Sequence, residues 1–320
     1  VATAVQDLEL FHPLADNTQV AMSFYPANSS DQHIVGLKLF RRDLGIELSD
    51  MIPMLEHLGF RVLVDHPYKI CPKTDNPVWM QDFTLSYQCG DCKLPDISAI
   101  RQPFERAFHA IWKGEAENDE CNRLVIAARL DWRQVNLLRA YASYLKQLGS
   151  SLSAKFIAET MLRYTEITKQ IVQLFFYQFE PGSMAEEYSE EGRRAQIKQI
   201  EEQLEQVESI NEDQVFRIYL QLIQATLRTN YFCRDEVGNN RPCLSLKLAT
   251  RQILTAPEPR PAYEIFVYSA RVEGLHLRGG KVARGGIRWS DRFEDYRTEV
   301  LGLVKAQQVK NAVIVPAGAK

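Results

Sequence analysis

Residues 77–88 read Pro77-Val-Trp-Met-Gln-Asp-Phe-Thr-Leu-Ser-Tyr-Gln88, and residues 97–112 read Ile97-Ser-Ala-Ile-Arg-Gln-Pro-Phe-Glu-Arg-Ala-Phe-His-Ala-Ile-Trp112. In the first stretch Trp79, Phe83, Leu85 and Tyr87 fall on one face of a strand, because successive strand side chains point to opposite sides. In the second, Ile97, Ile100, Phe104, Phe108, Ile111 and Trp112 fall on one stripe of a helix. The period changes from 2 to 3.6 near residue 96. That change decides the fold class: a sheet-containing block precedes it and a helical block follows.

Working back from residue 96, residues 18–25 and 33–41 have strand-like apolar content. Ser49 is placed to cap a short helix carrying Met51, Met54, Leu55 and Leu58, which Gly59 ends. Pro53 must sit in its first turn or two, where a missing N–H costs little. Strands over 60–70 and 77–88 complete a small α+β sandwich over residues 1–95, with helices on one side of an antiparallel sheet.

Working forward, Asp131 opens a helix through Trp132, Val135, Leu138, Tyr141, Leu145 and Leu148, which Gly149 ends. Residues 154–178 continue in this style until Pro181-Gly182. The run 186–210 is rich in Glu, Gln and Arg, with Ile197, Ile200, Leu204, Val207 and Ile210 at heptad-like spacing. It reads as one side of a helical hairpin with a solvated outer face. Asn211 or Asp213 caps a partner helix over 213–230, so residues 96–254 read as a helical domain. The segment Thr255-Ala-Pro-Glu-Pro-Arg-Pro261 cannot be helical and favours an extended linker. Beyond it come strands at Tyr263–Ser269 and Leu275–Leu277, a glycine-rich segment, a helix over about Phe293–Val309 and a Val/Ile strand at Ala312–Val315. This order opens an α/β domain over 255–320. The expected class is therefore α+β: a sheet sandwich, a helical domain, then the start of an α/β domain.

The 320 residues carry 38 Lys+Arg against 41 Asp+Glu, a net charge of −3. That balance argues against a general nucleic-acid binder. No run approaches the ~18 apolar residues of a membrane span, and no secretory signal is visible. Cys71, Cys89, Cys92, Cys121, Cys233 and Cys243 are sparse and read as reduced thiols, so a cytoplasmic location is expected. The chain begins at Val1 and stops at Lys320 inside Pro316-Ala-Gly-Ala-Lys320, which points to a piece of a longer polypeptide.

Cys89-Gly-Asp-Cys92 lacks the second ligand pair that structural zinc needs, and it follows a strand rather than opening a helix as a redox pair does. A thiol oxidoreductase is thus a distant reading. Gly274-Leu-His-Leu-Arg-Gly-Gly-Lys281 nearly spells a phosphate loop, but its Lys comes one place late and Val282 stands where a Mg²⁺-binding hydroxyl is needed. No G-x-G-x-x-G follows a strand, so no dinucleotide fold is expected in these residues. The segment 278–320 is richer. Two double-glycine turns among Arg278, Lys281, Arg284 and Arg288 let backbone N–H groups approach an anion. Lys310 ends a helix, where the dipole favours a cation, and Lys320 follows a buried-looking strand, where desolvation lowers a lysine pKa. Cations converging from separate segments suit a dicarboxylate. Solvated lysines on a surface helix and turn fit the residues better, so the residues alone favour that plainer reading over a binding site.

Several stretches resemble a known family. Arg284-Gly-Gly-Ile-Arg288 resembles the Lys-Gly-Gly-(Ile/Leu)-Arg segment of amino-acid dehydrogenases. Lys310-Asn-Ala-Val-Ile-Val-Pro-Ala-Gly-Ala-Lys320 resembles their Lys…Pro-x-Gly-Gly-Ala-Lys segment. Arg260-Pro-Ala-Tyr-Glu-Ile-Phe-Val-Tyr-Ser, the run from Arg271 to Lys281, Leu138-Arg-Ala-Tyr-Ala-Ser-Tyr-Leu145 and Thr226-Leu-Arg-Thr-Asn-Tyr-Phe232 are similar to the large bacterial NAD-specific glutamate dehydrogenases. So are Leu37-Lys-Leu-Phe-Arg41 and Met54-Leu-Glu-His-Leu-Gly-Phe-Arg-Val62. The resemblance covers nearly the whole chain. It implies an ACT-like regulatory block at 1–95, helical motifs at 96–254 and the start of the substrate domain at 255–320. It implies Lys320 as the catalytic lysine that activates water, Lys310 on the substrate α-carboxylate, and Arg284 with Gly285 and Gly286 at the distal carboxylate. Two departures stand out: Arg replaces Lys at 284, and the Lys310–Lys320 spacing is two residues shorter than in the small enzymes.

The implied reaction is L-glutamate to 2-oxoglutarate and ammonium with NAD as cofactor, in a homo-oligomer with a possible amino-acid effector. NAD's binding domain is expected outside this chain, so the chain alone is expected to be inactive. The competing expectation is a non-catalytic effector-binding or oligomerisation module.

Overall fold

A computed structural model of the chain describes residues 7–10, 14, 18–27, 33–72, 76–88, 96–182, 190–279, 282–283, 289–310 and 318–319. The class is α+β, with antiparallel four-stranded sheets and a large helical share. The chain divides into two compact units, Val1–Val135 and Asn136–Lys320.

The first unit is built on strands β1 (Val20–Pro26), β2 (Ile34–Arg42), β3 (Phe60–Ile70) and β4 (Val78–Tyr87) in the order β1-β2-β4-β3, all antiparallel. Helices α1 (Leu48–His57) and α2 (Ile97–Trp112) pack onto this sheet. The core is aromatic: the Phe104 ring stacks on Phe24 at 4.8 Å and meets Phe60 edge-on at 5.6 Å. The expected stripe supplies it, since Ile100, Phe104, Phe108 and Ile111 are buried on α2. Asp96 caps α2 through Ser98, and this hydrogen bonding holds its carboxyl below the usual range. Gly59 ends α1 at φ +94°, a conformation L side chains rarely adopt. A one-turn 3₁₀ segment (Glu120–Arg123) and α3 (Leu124–Ala127) follow.

Two local expectations change in this unit. Ser49 is not the cap of α1: the helix starts at Leu48, with Glu47 at the cap position and no side-chain cap bond. The sheet also buries apolar groups on its second face. Phe40 and Val78 pack there with Leu14, and Leu10, Ala21, Ile70 and Met80 adjoin them. Phe83, Leu85 and Tyr87 are buried as their alternation predicts, while Trp79 is only half-buried.

The second unit begins within α4 (Trp132–Gln147), whose N-terminus Asp131 caps by accepting from the Arg133 N–H at 2.9 Å. Helices α5 (Ala154–Arg163), α6 (Thr165–Phe179), α7 (Glu190–Leu204) and α8 (Ile210–Ala225) follow. Helix α6 packs against α5, α7 and α8, and Tyr141, Phe175 and Tyr219 bury their rings together. The heptad-like run behaves as a hairpin arm only as far as Leu204. Ile200 and Leu204 are buried, whereas Ile210 is 84% exposed at the start of α8. Ser209, not Asn211 or Asp213, holds the N-cap position of α8.

The expected helix over 213–230 ends at Ala225, and Thr226–Thr229 become strand β5. Thr226 and Thr229 are β-branched and favour a strand, and β5 pairs with β6 (Leu244–Leu248). The sheet runs β5-β6-β7-β8, with β7 (Tyr263–Tyr268) and β8 (Glu273–Arg278), all antiparallel. It therefore takes strands from both sides of position 254. A second, parallel pair joins β9 (Val282–Ala283) to β10 (Gly318–Ala319), and α9 (Tyr296–Lys310) lies between them in sequence. The Ala312–Val315 strand, Cys89 and Cys92 lie outside the described residues.

Candidate active site

The geometry toward the C-terminal end of the chain is set by how α9 is held. Leu277 of β8 forms a buried cluster with Leu301 and Val304 of α9, joined by Leu275 and Val300. Arg297, Leu301 and Val304 stand at i, i+4 and i+7, one helical stripe. The first member of that stripe is charged, and it is 1% exposed.

Arg297 is neutralised by Glu264 of β7, which is also fully buried. The guanidinium donates from Nε to Glu264 Oε2 at 3.1 Å and from Nη2 to Oε1 at 2.6 Å, a two-pronged pair. The Tyr144 hydroxyl of α4 donates to Oε2 at 2.8 Å. Burial, then the Glu264 charge, pushes the Tyr144 phenol well above its ordinary range, so it stays a donor. A buried carboxylate with three charge-assisted or hydroxyl donors meets the condition for keeping a charge away from water.

The same turn of α9 is tied at other atoms. The Arg297 backbone N–H, one of the donors a helix N-terminus leaves unused, donates to Gln147 Oε1 at 3.1 Å. Gln147 Nε2 donates to the Phe293 carbonyl at 2.8 Å, and Lys146 pairs with Glu294 at 2.9 Å. Glu273 of β8 accepts from Ser143 and from the Tyr296 hydroxyl, the latter at 3.2 Å. Burial and the Glu273 charge raise the Tyr296 phenol. Ser290 donates to Glu299 at 2.7 Å, and Arg292 pairs with Asp295. The C-terminal half of α4 thus grips the opening of α9.

The sequence-predicted residues distribute as follows. Lys310 is the last residue of α9, and its side chain is outside the described atoms. Arg284, Gly285, Gly286 and Lys320 lie outside the described residues. The backbone just before them is described: Ala283 pairs with Ala319 and Val282 with Gly318, in parallel. Arg284 and Lys320 directly follow Ala283 and Ala319 in the sequence. Sequence reasoning missed Glu264, Arg297 and Tyr144. Along Tyr263-Glu-Ile-Phe-Val-Tyr268 the positions Tyr263, Ile265 and Val267 look like the core face, yet Glu264, Phe266 and Tyr268 are buried. The only signal was a carboxylate in phase with two aromatic residues, matched by an Arg in phase with Leu301 and Val304.

Among the described residues no group of His, Cys, Asp and Glu could hold a metal ion. No helix among them is long and apolar enough to cross a membrane. Nor do these residues fit NAD. The parallel strand–helix–strand order β9–α9–β10 carries Arg284-Gly-Gly-Ile-Arg288 after its first strand, not the G-x-G-x-x-G turn that brings a pyrophosphate to a helix N-terminus.

Three family models match successive parts of the chain. Residues 19–97 match the glutamate dehydrogenase ACT3 domain, and 116–181 match glutamate dehydrogenase helical motif 3. Residues 199–320 match the bacterial NAD-glutamate dehydrogenase catalytic domain. The chain belongs to the large bacterial NAD-specific glutamate dehydrogenase family. Similar proteins named NAD-specific glutamate dehydrogenase occur in Halomonas elongata, 50% identical over 318 residues, and in Pseudomonas aeruginosa, 46% identical over 318 residues. These alignments take in 99% of this chain and 19% and 20% of those proteins. One from Mycobacterium tuberculosis is 41% identical over 323 residues, spanning all of this chain and 20% of that protein. The chain therefore spans about a fifth of the length of these relatives. The catalytic-domain match begins at 199, so in family terms α8 and strands β5 and β6 go with β7 and β8, as they do in the sheet.

Proposed function

We propose that this chain is the part of an NAD-dependent glutamate dehydrogenase that carries the substrate cations, and that the intact enzyme converts L-glutamate, NAD and water to 2-oxoglutarate, ammonium and NADH. In this reading residues 1–95 are the ACT-like regulatory block, 96–254 the mainly helical block and 255–320 the start of the substrate domain, whose sheet also draws β5 and β6 from before position 254. NAD, bound outside this chain, takes the hydride. The enzyme works in the cytoplasm as a homo-oligomer.

The observation that supports the site is the parallel pairing of Ala283 with Ala319. It brings the two strands that run into Arg284 and Lys320 side by side, and α9, which ends on Lys310, connects them. Within this reading Arg284, flanked by Gly285 and Gly286, binds the distal carboxylate; its fork suits a carboxylate bidentately. Lys310 pairs with the α-carboxylate. Lys320, as the free amine, takes a proton from the water that adds to the iminoglutarate carbon, and as the ammonium it stabilises the resulting oxygen.

The test uses the intact enzyme carrying this segment. Arg284→Met and Lys310→Met are expected to raise the KM for L-glutamate at least tenfold with little change in the KM for NAD. Unchanged glutamate kinetics in both variants would contradict the assignment. The 320-residue chain alone is expected to form no NADH from glutamate and NAD.

A second reading, an effector-binding or oligomerisation module, draws on the outer edge of the first unit's sheet. There β3 exposes Leu63, Val64 and Tyr68. An uncovered strand edge with apolar side chains is a ready pairing surface. Calorimetric titration of the chain with amino acids, together with light scattering, tests it: no heat and a monomeric mass would remove it.

A further inference from the structure

We propose that Arg297, clamped by Glu264, is a positioning residue that aims the substrate lysine at the far end of α9. The inference rests on the reading of Lys310 given under Proposed function.

A buried ion pair is rarely more stabilising than apolar side chains of the same volume, because desolvation offsets the attraction. Leu301 and Val304 already bury the adjoining stripe of α9 against Leu277. A methionine at 297 would extend that stripe. What a methionine would not supply is direction. The Arg297 fork meets both oxygens of Glu264, so the guanidinium plane and the carboxylate plane fix each other. Glu264 is itself fixed, by its place in β7 between β6 and β8 and by the Tyr144 hydroxyl. The Arg297 main-chain N–H is held separately by Gln147. The first turn of α9 is thus constrained in rotation about its axis as well as in position.

That constraint has leverage. Lys310 lies thirteen residues beyond Arg297 on the same helix, which at 1.5 Å per residue is ~20 Å along the axis. A pivot of only ~3° at the clamped end displaces the far end by ~1 Å, and a misplacement of that size can cost on the order of a hundredfold in rate. A bidentate pair resists such a pivot; a single-point ammonium does not. Arg297 touches no substrate in this account, and its effect passes through α9.

The experiment uses the intact enzyme with Arg297→Lys, Arg297→Met, Tyr144→Phe and Lys310→Met, measuring kcat, the KM values for L-glutamate and NAD, and Tm. Arg297→Lys keeps the charge and loses the fork. It is expected to lower kcat/KM for glutamate at least tenfold, with the KM for NAD within twofold and Tm within a few degrees. Arg297→Met is expected to lose more, so that Lys is a partial rescue. Should the Arg297 variants fail to fold, Tyr144→Phe carries the test, because it keeps the ion pair and the volume. Its expected loss is about threefold, again confined to glutamate. Glutamate kinetics within twofold of the parent in folded Arg297→Lys, or in Tyr144→Phe when that variant carries the test, would overturn the proposal. So would equal shifts in both substrates, the mark of a general structural effect. The two readings fail separately. If Lys310→Met weakens glutamate and Arg297→Lys does not, only the clamp falls; if Lys310→Met changes nothing, the substrate-lysine reading falls and takes the clamp with it.

Discussion

Tyr141 and Tyr144 form a matched pair for measuring what the charged network contributes. They sit three residues apart on α4, and neither exposes any surface. Replacing either with phenylalanine removes one oxygen and leaves ring packing in place. The difference lies in the acceptor. The Tyr141 hydroxyl meets Thr226 Oγ1 at 2.9 Å, and since Thr226 donates its own hydrogen to the Leu222 carbonyl, Tyr141 is the donor. That is a neutral bond, worth ~0.5–1.5 kcal/mol net. Tyr144 donates to the buried Glu264 carboxylate, and bonds to charged groups are worth ~1.5–3 kcal/mol. Arg297 still holds both Glu264 oxygens in Tyr144→Phe, so the loss stays at a single bond. Hydrogen exchange of the β6 and β7 amides reads the effect locally, without assuming that the two units unfold together. Exchange is expected to speed up roughly tenfold to 150-fold in Tyr144→Phe and roughly twofold to tenfold in Tyr141→Phe. Equal acceleration, or a larger one in Tyr141→Phe, would refute the claim that the carboxylate is charged and depends on this donor.

Further outcomes follow from the first unit. Phe104→Ala removes the ring that touches both Phe24 and Phe60 and is expected to cost ~3–5 kcal/mol, read from urea unfolding followed by tryptophan fluorescence. His109 on α2 has its pKa lowered, first by burial and then by Lys113. The unfolded chain therefore binds the proton more readily, and stability is complete above about pH 6.5 and falls as pH drops below it. His109→Gln is expected to flatten that part of the stability profile of the unit; an unchanged profile would rule His109 out as its source.

The sequence made some features legible because they obey local rules. The stripe from Ile100 to Ile111 specified α2, Gly59 marked the end of α1, and Asp131 marked the start of α4. The misses arose where distant residues decide. Ala225 ends α8 because Thr226–Thr229 find a partner in β6, and that partner is separated from them by a long connection. Phe40 and Val78 are buried on the second face of the sheet because Leu14 covers them, which no alternation along β2 or β4 can reveal. Glu264 and Arg297 look like surface residues until each is seen to neutralise the other. Of the candidate site, the cation pattern and the dehydrogenase likeness were legible from the chain. The grip of α4 on α9 was not, since Ser143, Tyr144, Lys146 and Gln147 are polar residues whose partners lie more than a hundred positions away.

Under the proposed function, this segment carries the catalytic lysine of a glutamate dehydrogenase. The most direct test is the rate of glutamate-dependent NADH formation by the intact enzyme with Lys320→Met. A fall in kcat on the order of 10²–10⁴-fold is expected, with NAD binding and Tm preserved, as when a positioned general base is removed. A kcat within a few-fold of the parent enzyme would contradict it.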